Sequence, residues 1–97
     1  MYQMDKYEKI IDIICGMKGI EKEELYKILK DRDCKYLLFL LLKKYNCDNP
    51  NKINKDFFIN NKRIIRYNIK KGEEKFMINK EFREIYFEVK SKLEKTN

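Results

Sequence analysis

The chain has 97 residues, of which 43% are hydrophobic and 13% aromatic, and its 23 Lys and Arg against 16 Asp and Glu give a net charge of +7. This length suits a single domain over residues 1–97, and the hydrophobic content excludes a disordered chain. The positive charge favours an acidic partner such as nucleic acid.

The residue types that most often carry catalysis or bind metals are scarce. The chain has no histidine, and its three glycines are too scattered to form a phosphate-binding loop. The cysteines are Cys15, Cys34 and Cys47, and their wide spacing favours reduced thiols over a zinc site or a disulfide framework. We therefore expect a protein that is not an enzyme and that uses neither a metal nor a cofactor.

The sequence carries no targeting or membrane signal. Residues 1–9 are polar and charged, without the apolar stretch of a signal peptide. The longest apolar run, Tyr36–Leu42, is far shorter than the roughly 20 residues that cross a bilayer. We expect a cytoplasmic protein with no membrane partner.

Residues 5–18 are predicted to form the first helix. Ile10 and Ile14 belong to an apolar face with helical spacing, Asp5 is a candidate N-cap, and Gly19 is placed to end the helix in a left-handed turn.

Two further helices are predicted over residues 21–30 and 34–45. The third contains the apolar run and is apolar all round, which is typical of a buried helix. Residues 46–54, which include the only proline, are predicted to form a loop.

The pattern then changes to a period of two, which is typical of strands. Apolar residues alternate with polar ones on both sides of Gly72, as expected for a β-hairpin over residues 63–79, and Asn60-Asn61 tolerates a tight turn. An amphipathic helix over residues 80–95 closes the chain. The predicted fold class is α+β, a winged helix-turn-helix of three helices, a basic hairpin wing and a C-terminal helix.

Most of the positive charge is concentrated on this hairpin and its approach. Residues 49–78 hold eight basic and three acidic residues, a net charge of +5. Such a strip attracts a phosphate backbone, and Arg and Asn can also read base edges; alternatively, it is a solvated strand face. The predicted DNA-binding residues are Lys35, Lys62, Arg63, Arg66, Asn68, Lys70, Lys71 and Lys75.

The whole chain resembles the winged helix-turn-helix family. The similarity lies in Gly19-Ile20, Leu25 and Leu29, followed by the leucine-rich helix and the segment Arg63–Ile78. In size and in its Lys/Asn-rich composition the chain also resembles accessory DNA-binding proteins of conjugative plasmids. These resemblances imply double-stranded DNA binding in plasmid transfer, replication or transcription regulation.

Residues 35–82 are also similar to the DNA-binding domain of the replication initiator DnaA. The shared apolar positions are Tyr45, Ile53, Phe57, Ile65 and Phe82, but the family's Gly-Arg-Asp-His-Thr-Thr-Val signature reads Ile-Asn-Asn-Lys-Arg-Ile-Ile over residues 59–65. This resemblance implies an all-α alternative in which residues 61–71 form a recognition helix and Gly72 lies inside a helix, at a cost of about 1 kcal/mol.

Apolar surface on the terminal helices predicts a homodimer, since two-fold pairing doubles the DNA contacts of a small domain. The same surface supports a rival hypothesis, a protein-interaction module (an adaptor or anti-repressor) that binds no DNA. RNA binding is less favoured, because Tyr67 and Phe76 would more often be core residues than base-stacking ones.

Overall fold

Residues 5–95, the part of the chain that the computed structural model describes, form six α-helices and one short 3-10 helix, with no strand. Side chains from all six helices meet in one hydrophobic core. The α-helices are α1 (Lys6–Lys18), α2 (Tyr26–Lys30), α3 (Arg32–Lys44), α4 (Pro50–Phe57), α5 (Lys62–Ile78) and α6 (Lys80–Lys95), and the 3-10 helix spans Lys22–Glu24.

The ends of α1 confirm the sequence prediction. The Asp5 carboxylate accepts a hydrogen bond from the Glu8 amide at 2.8 Å, and Gly19 ends the helix with φ 67°. The second predicted helix is shorter than expected, because a capping box between Glu21 and Glu24 opens a 3-10 turn and α2 starts only at Tyr26.

Helix α3 is the centre of the fold. It packs against α1, α2, α5 and α6, and every side chain from Leu37 to Leu42 is buried. The prediction of a core helix is confirmed. A helix that is apolar all round needs partners on every side, and this one has four.

The predicted loop over residues 46–54 is wrong in its second half. Helix α4 starts at Pro50, whose missing N–H costs nothing in the first turn. The Asn49 side chain caps this helix by accepting a hydrogen bond from the Asn51 amide at 2.8 Å.

The predicted β-hairpin is wrong, and the α+β winged helix-turn-helix with it. Residues 62–78 form the single helix α5, so the described chain is all-α, the class that the alternative expectation named. The buried positions of this helix are Ile65, Asn68, Ile69 and Gly72, which are spaced by three and four residues. The alternation of Ile65, Tyr67 and Ile69 is incidental, because Tyr67 points away from the core and is 56% exposed.

Gly72 lies inside α5 rather than in a turn, and its lack of a side chain lets α5 approach α3 closely. A Cβ at this position would lie 2.8 Å from the Tyr36 carbonyl oxygen and 3.2 Å from Leu40 Cβ. Glycine in a helix costs about 1 kcal/mol relative to alanine. Here that cost is offset by the packing that the close approach of the helices permits.

Candidate nucleic-acid interface

Helices α4 and α5 are joined by the four residues 58–61. Phe58 ends α4 in the left-handed conformation (φ 59°), a position where glycine is usual. Asn61 starts α5 by accepting a hydrogen bond from the Arg63 amide at 2.8 Å. Two helices joined by a turn of this length form the arrangement found in a helix-turn-helix. The second helix of that motif enters the major groove of DNA.

Helix α4 is fastened to the N-terminal end of α1. The Tyr7 hydroxyl donates to Asp56 Oδ2 at 2.8 Å, and Lys52 Nζ donates to Asp5 Oδ2 at 2.6 Å. Burial, and then the hydrogen bond to Asp56, raise the pKa of Tyr7 well above its ordinary value, so its hydroxyl remains a donor. These contacts fix α4, and so set where the turn and α5 begin.

One exposed face of α5 is strongly basic. Four of the predicted DNA-binding residues lie there, exposed, within the first two and a half turns of the helix, and among residues 5–95 none of them has a carboxylate partner. Their spacing spans about 12 Å along the helix axis. We call this set, Lys62, Arg63, Arg66 and Lys70, the outer strip.

Three other predicted residues lie away from the outer strip: Lys71 and Lys75 are on another side of α5, and Lys35 is in α3. They line a groove of about 720 Å³ between the start of α3 and the part of α5 that begins at Tyr67. Lys75 forms an ion pair with Asp33. We call this feature the tyrosine groove; its lining is Arg32, Lys35, Tyr36, Tyr67, Lys71, Glu74, Lys75, Ile78 and Asn79.

Asn68 does not join either surface. It is only 3% exposed, its side-chain amide donates to the Ile64 carbonyl oxygen at 2.9 Å, and its Oδ1 has no hydrogen-bond partner. On a strand, Arg66, Asn68 and Lys70 would alternate onto one face, but in the helix Asn68 points into the core, so its predicted place among the exposed DNA-binding residues is wrong.

Arg32, Tyr36 and Tyr67 are among the groove residues that the sequence did not predict to be binding residues. Tyr67 was expected to be a core residue, yet it is half exposed, whereas Phe76 packs partly buried against the core. The spacing of Tyr67, Lys71 and Lys75 by four residues, which places them on one side of a helix, is the signal that would have grouped them.

With no histidine in the sequence, the potential metal ligands among residues 5–95 are the cysteine and acidic side chains. No cluster of three or more cysteine and acidic side chains could hold a metal ion, and no helix there is long and apolar enough to cross a membrane. The three cysteines are free. Burial raises the pKa of Cys34 to about 11, which makes this thiol a poor nucleophile at neutral pH.

Comparison of the chain with protein-family models, with curated proteins and with solved structures finds no match.

Proposed function

We propose that this protein binds double-stranded DNA, with α4 and α5 as the helix-turn-helix and α5 as the helix that enters the major groove. The observation that carries the proposal is the outer strip, whose four cations have no carboxylate partner among the described residues. Like charges four residues apart, such as Lys62/Arg66 and Arg66/Lys70, each destabilise a helix by about 0.2–0.5 kcal/mol, and a bound anion removes that repulsion. A phosphate backbone does so, with release of counterions.

The position of the outer strip fits contacts to both bases and phosphates. Arg63 and Arg66 lie in the first turns of α5, where recognition helices contact base edges, and arginine is the usual partner of guanine. Lys55 of α4 is also exposed and adds a phosphate contact on the other side of the turn. Sequence-specific binding is therefore part of the proposal.

The proposal includes a location and a process: the protein acts in the cytoplasm, in a process that requires binding to duplex DNA. Plasmid transfer, replication and transcription regulation are the processes that the sequence resemblances imply. Each of them uses small basic proteins that bind duplex DNA at a defined site.

Fluorescence anisotropy with labelled duplex DNA tests the proposal directly. With about four to six phosphate contacts, the plot of log affinity against log salt should have a slope near −4 to −5. Selection from a random duplex pool should then yield a preferred sequence. Absence of duplex binding at low salt would overturn the proposal.

We further propose that the protein is a homodimer. Met77 is 77% exposed at the end of α5, and half-exposed Phe87 of α6 forms an aromatic cluster with Phe76 and Tyr86. Pairing would cover this apolar surface. Sedimentation velocity should show a dimer that Met77→Lys and Phe87→Lys dissociate, whereas a wild-type monomer at high micromolar concentration would contradict it.

The exposed apolar residues also favour a second candidate function, a protein-interaction module such as an adaptor or anti-repressor. Two measurements distinguish the adaptor from the DNA-binding protein. The adaptor would bind no duplex at any salt concentration, and charge reversal in the outer strip would leave its activity intact.

A further inference from the structure

The tyrosine groove combines aromatic faces with cations, and the outer strip has no such combination. Lys71 Nζ lies 5.6 Å from the ring centroid of Tyr67, and Lys35 Nζ lies 5.5 Å from that of Tyr36. Tyr67 is on α5 and Tyr36 on α3, so the two helices each contribute one ring with a lysine beside it. Because Tyr67 is half exposed, its ring is open to a ligand.

The charges in the tyrosine groove are only partly compensated. Lys75 pairs with Asp33, and Lys71 lies 3.7 Å from Glu74, but Arg32 and Lys35 have no carboxylate partner among residues 5–95. Both carboxylates are about half exposed, Glu74 at 49% and Asp33 at 59%, and ion pairs that reach solvent contribute little stability. An incoming anion could therefore replace either carboxylate at small cost.

The unpartnered cations also lie where they do not help the fold. Arg32 and Lys35 are in the first turn of α3, where the helix dipole disfavours positive charge. Two carboxylates share this end of α3: Asp31 caps the helix by accepting from the Cys34 amide, and Asp33 is paired with Lys75. The positive charge left for an anion is therefore that of the Arg32 and Lys35 side chains.

We propose that the tyrosine groove binds a nucleotide unit with an unstacked base, either within single-stranded nucleic acid or as a free mononucleotide. The base stacks on Tyr67, and the phosphate lies between Arg32 and Lys35. Positive grooves with aromatic platforms are the usual means of holding single strands. The groove volume of about 720 Å³ lies within the range of small-ligand sites.

This inference is independent of duplex binding by the outer strip. Bases in a duplex are stacked on each other, so their faces cannot reach Tyr67. The two surfaces of α5 therefore select different states of nucleic acid, the paired one at the outer strip and the unpaired one at the groove.

The test measures binding of a labelled oligothymidylate to wild type, Tyr67→Ala and Tyr26→Ala. Tyr26 is a matched control, since it is 52% exposed and has Lys30 Nζ 5.2 Å from its ring centroid, but it does not line the groove. Tyr67→Ala should weaken binding about five- to hundredfold, as loss of one stacking platform does. Tyr26→Ala should leave binding within about twofold of wild type, and Tyr67→Phe, which keeps the ring, should also retain it.

Competition identifies the ligand chemistry. Thymidine monophosphate should displace the oligothymidylate at concentrations where inorganic phosphate does not; displacement only by longer strands would assign the groove to single strands. Equal displacement by phosphate, equal effects of the two alanine substitutions, or no binding of oligothymidylate would each overturn the inference. Loss of duplex binding with retained, Tyr67-dependent binding of oligothymidylate would reject the proposed function and keep the groove.

Discussion

The two basic sides of α5 differ in their neighbours, although both are built from the same residue types. The outer strip faces solvent, and its cations have no carboxylate partner among the described residues. On the groove side, Lys71 and Lys75 each lie beside a carboxylate, and Tyr67 lies next to Lys71. The local charge count alone does not separate the two sides. The surroundings of each cation determine whether it is free to bind phosphate or is already part of a network.

The largest effect is expected from the outer strip. Arg66→Glu combined with Lys70→Glu replaces attraction with repulsion at the phosphate backbone. Duplex affinity should fall about a hundredfold or more at low salt. The slope of log affinity against log salt should become less negative by about 2, because about two phosphate contacts are lost. Fluorescence anisotropy over a salt series measures both quantities.

The matched control for that variant is Lys43→Glu combined with Lys44→Glu. Both lysines are exposed at the end of α3, so the net charge changes equally but away from the outer strip. A loss of duplex affinity as large as that of the α5 variant would show that only net charge matters, and would remove the distinction between the surfaces.

Gly72 provides the second test, because it sets how closely α5 lies to α3. Gly72→Ala should lower the free energy of unfolding by about 1–3 kcal/mol, since the added Cβ meets the Tyr36 carbonyl oxygen. Gly16→Ala in α1 adds the same atom where nothing but its chain neighbours and the backbone of its own helix lies within 4 Å, and it should raise stability by about 0.5–1 kcal/mol. Urea denaturation measures both changes, and opposite signs are the expected result.

This pair of glycines also bears on the two surfaces. A shift of α5 away from α3 alters the tyrosine groove, because both helices line it. The outer strip keeps its geometry, because all four of its residues belong to α5. Folded Gly72→Ala should therefore bind duplex DNA as wild type does and bind single strands less tightly. Equal losses for both ligands would contradict the division of α5 into two sites.

The next largest effect is expected from substitution of Asn68, which changes the stability of the core and not a binding surface. Its Oδ1 is buried without a partner, and a buried unsatisfied oxygen is costly. Asn68→Leu should therefore raise the free energy of unfolding by about 1 kcal/mol and leave duplex affinity unchanged. A large loss of duplex affinity in a folded variant would instead support the DNA contact predicted from the sequence.

The sequence was sufficient for the parts of the fold whose local and long-range preferences agree. Helix α1 has a cap, an apolar face and a terminal glycine that all indicate one structure, and the leucine-rich α3 was correctly predicted to be core. The prediction for residues 62–78 was wrong because Asn68 and Gly72 occupy the buried face of α5. A polar residue and a glycine there interrupt the helical period, and what remains resembles the alternation of a strand.

The candidate site was predictable only as a set of residues. The concentration of charge over residues 49–78 identified the cations of the outer strip and two of those in the tyrosine groove. Their division into two surfaces depends on helical geometry, and the contribution of Arg32 and Tyr36 depends on the packing of α3 against α5. Neither follows from the local pattern, because residues far apart in the chain are brought together only by the fold.

The smallest expected effect comes from Asp33, and it tests the difference in neighbours most directly. Asp33→Asn removes the partner of Lys75 and so makes the groove side more like the outer strip. Since Asp33 is 59% exposed and its charge is screened by solvent, affinity for oligothymidylate should rise only about two- to fivefold at low salt, with duplex affinity changed less. Asp12→Asn is the control, because Asp12 lies 3.9 Å from Lys22 and is not part of the groove. If both variants raise single-strand affinity equally, the gain reflects net charge, and the neighbours of Lys75 do not limit its binding.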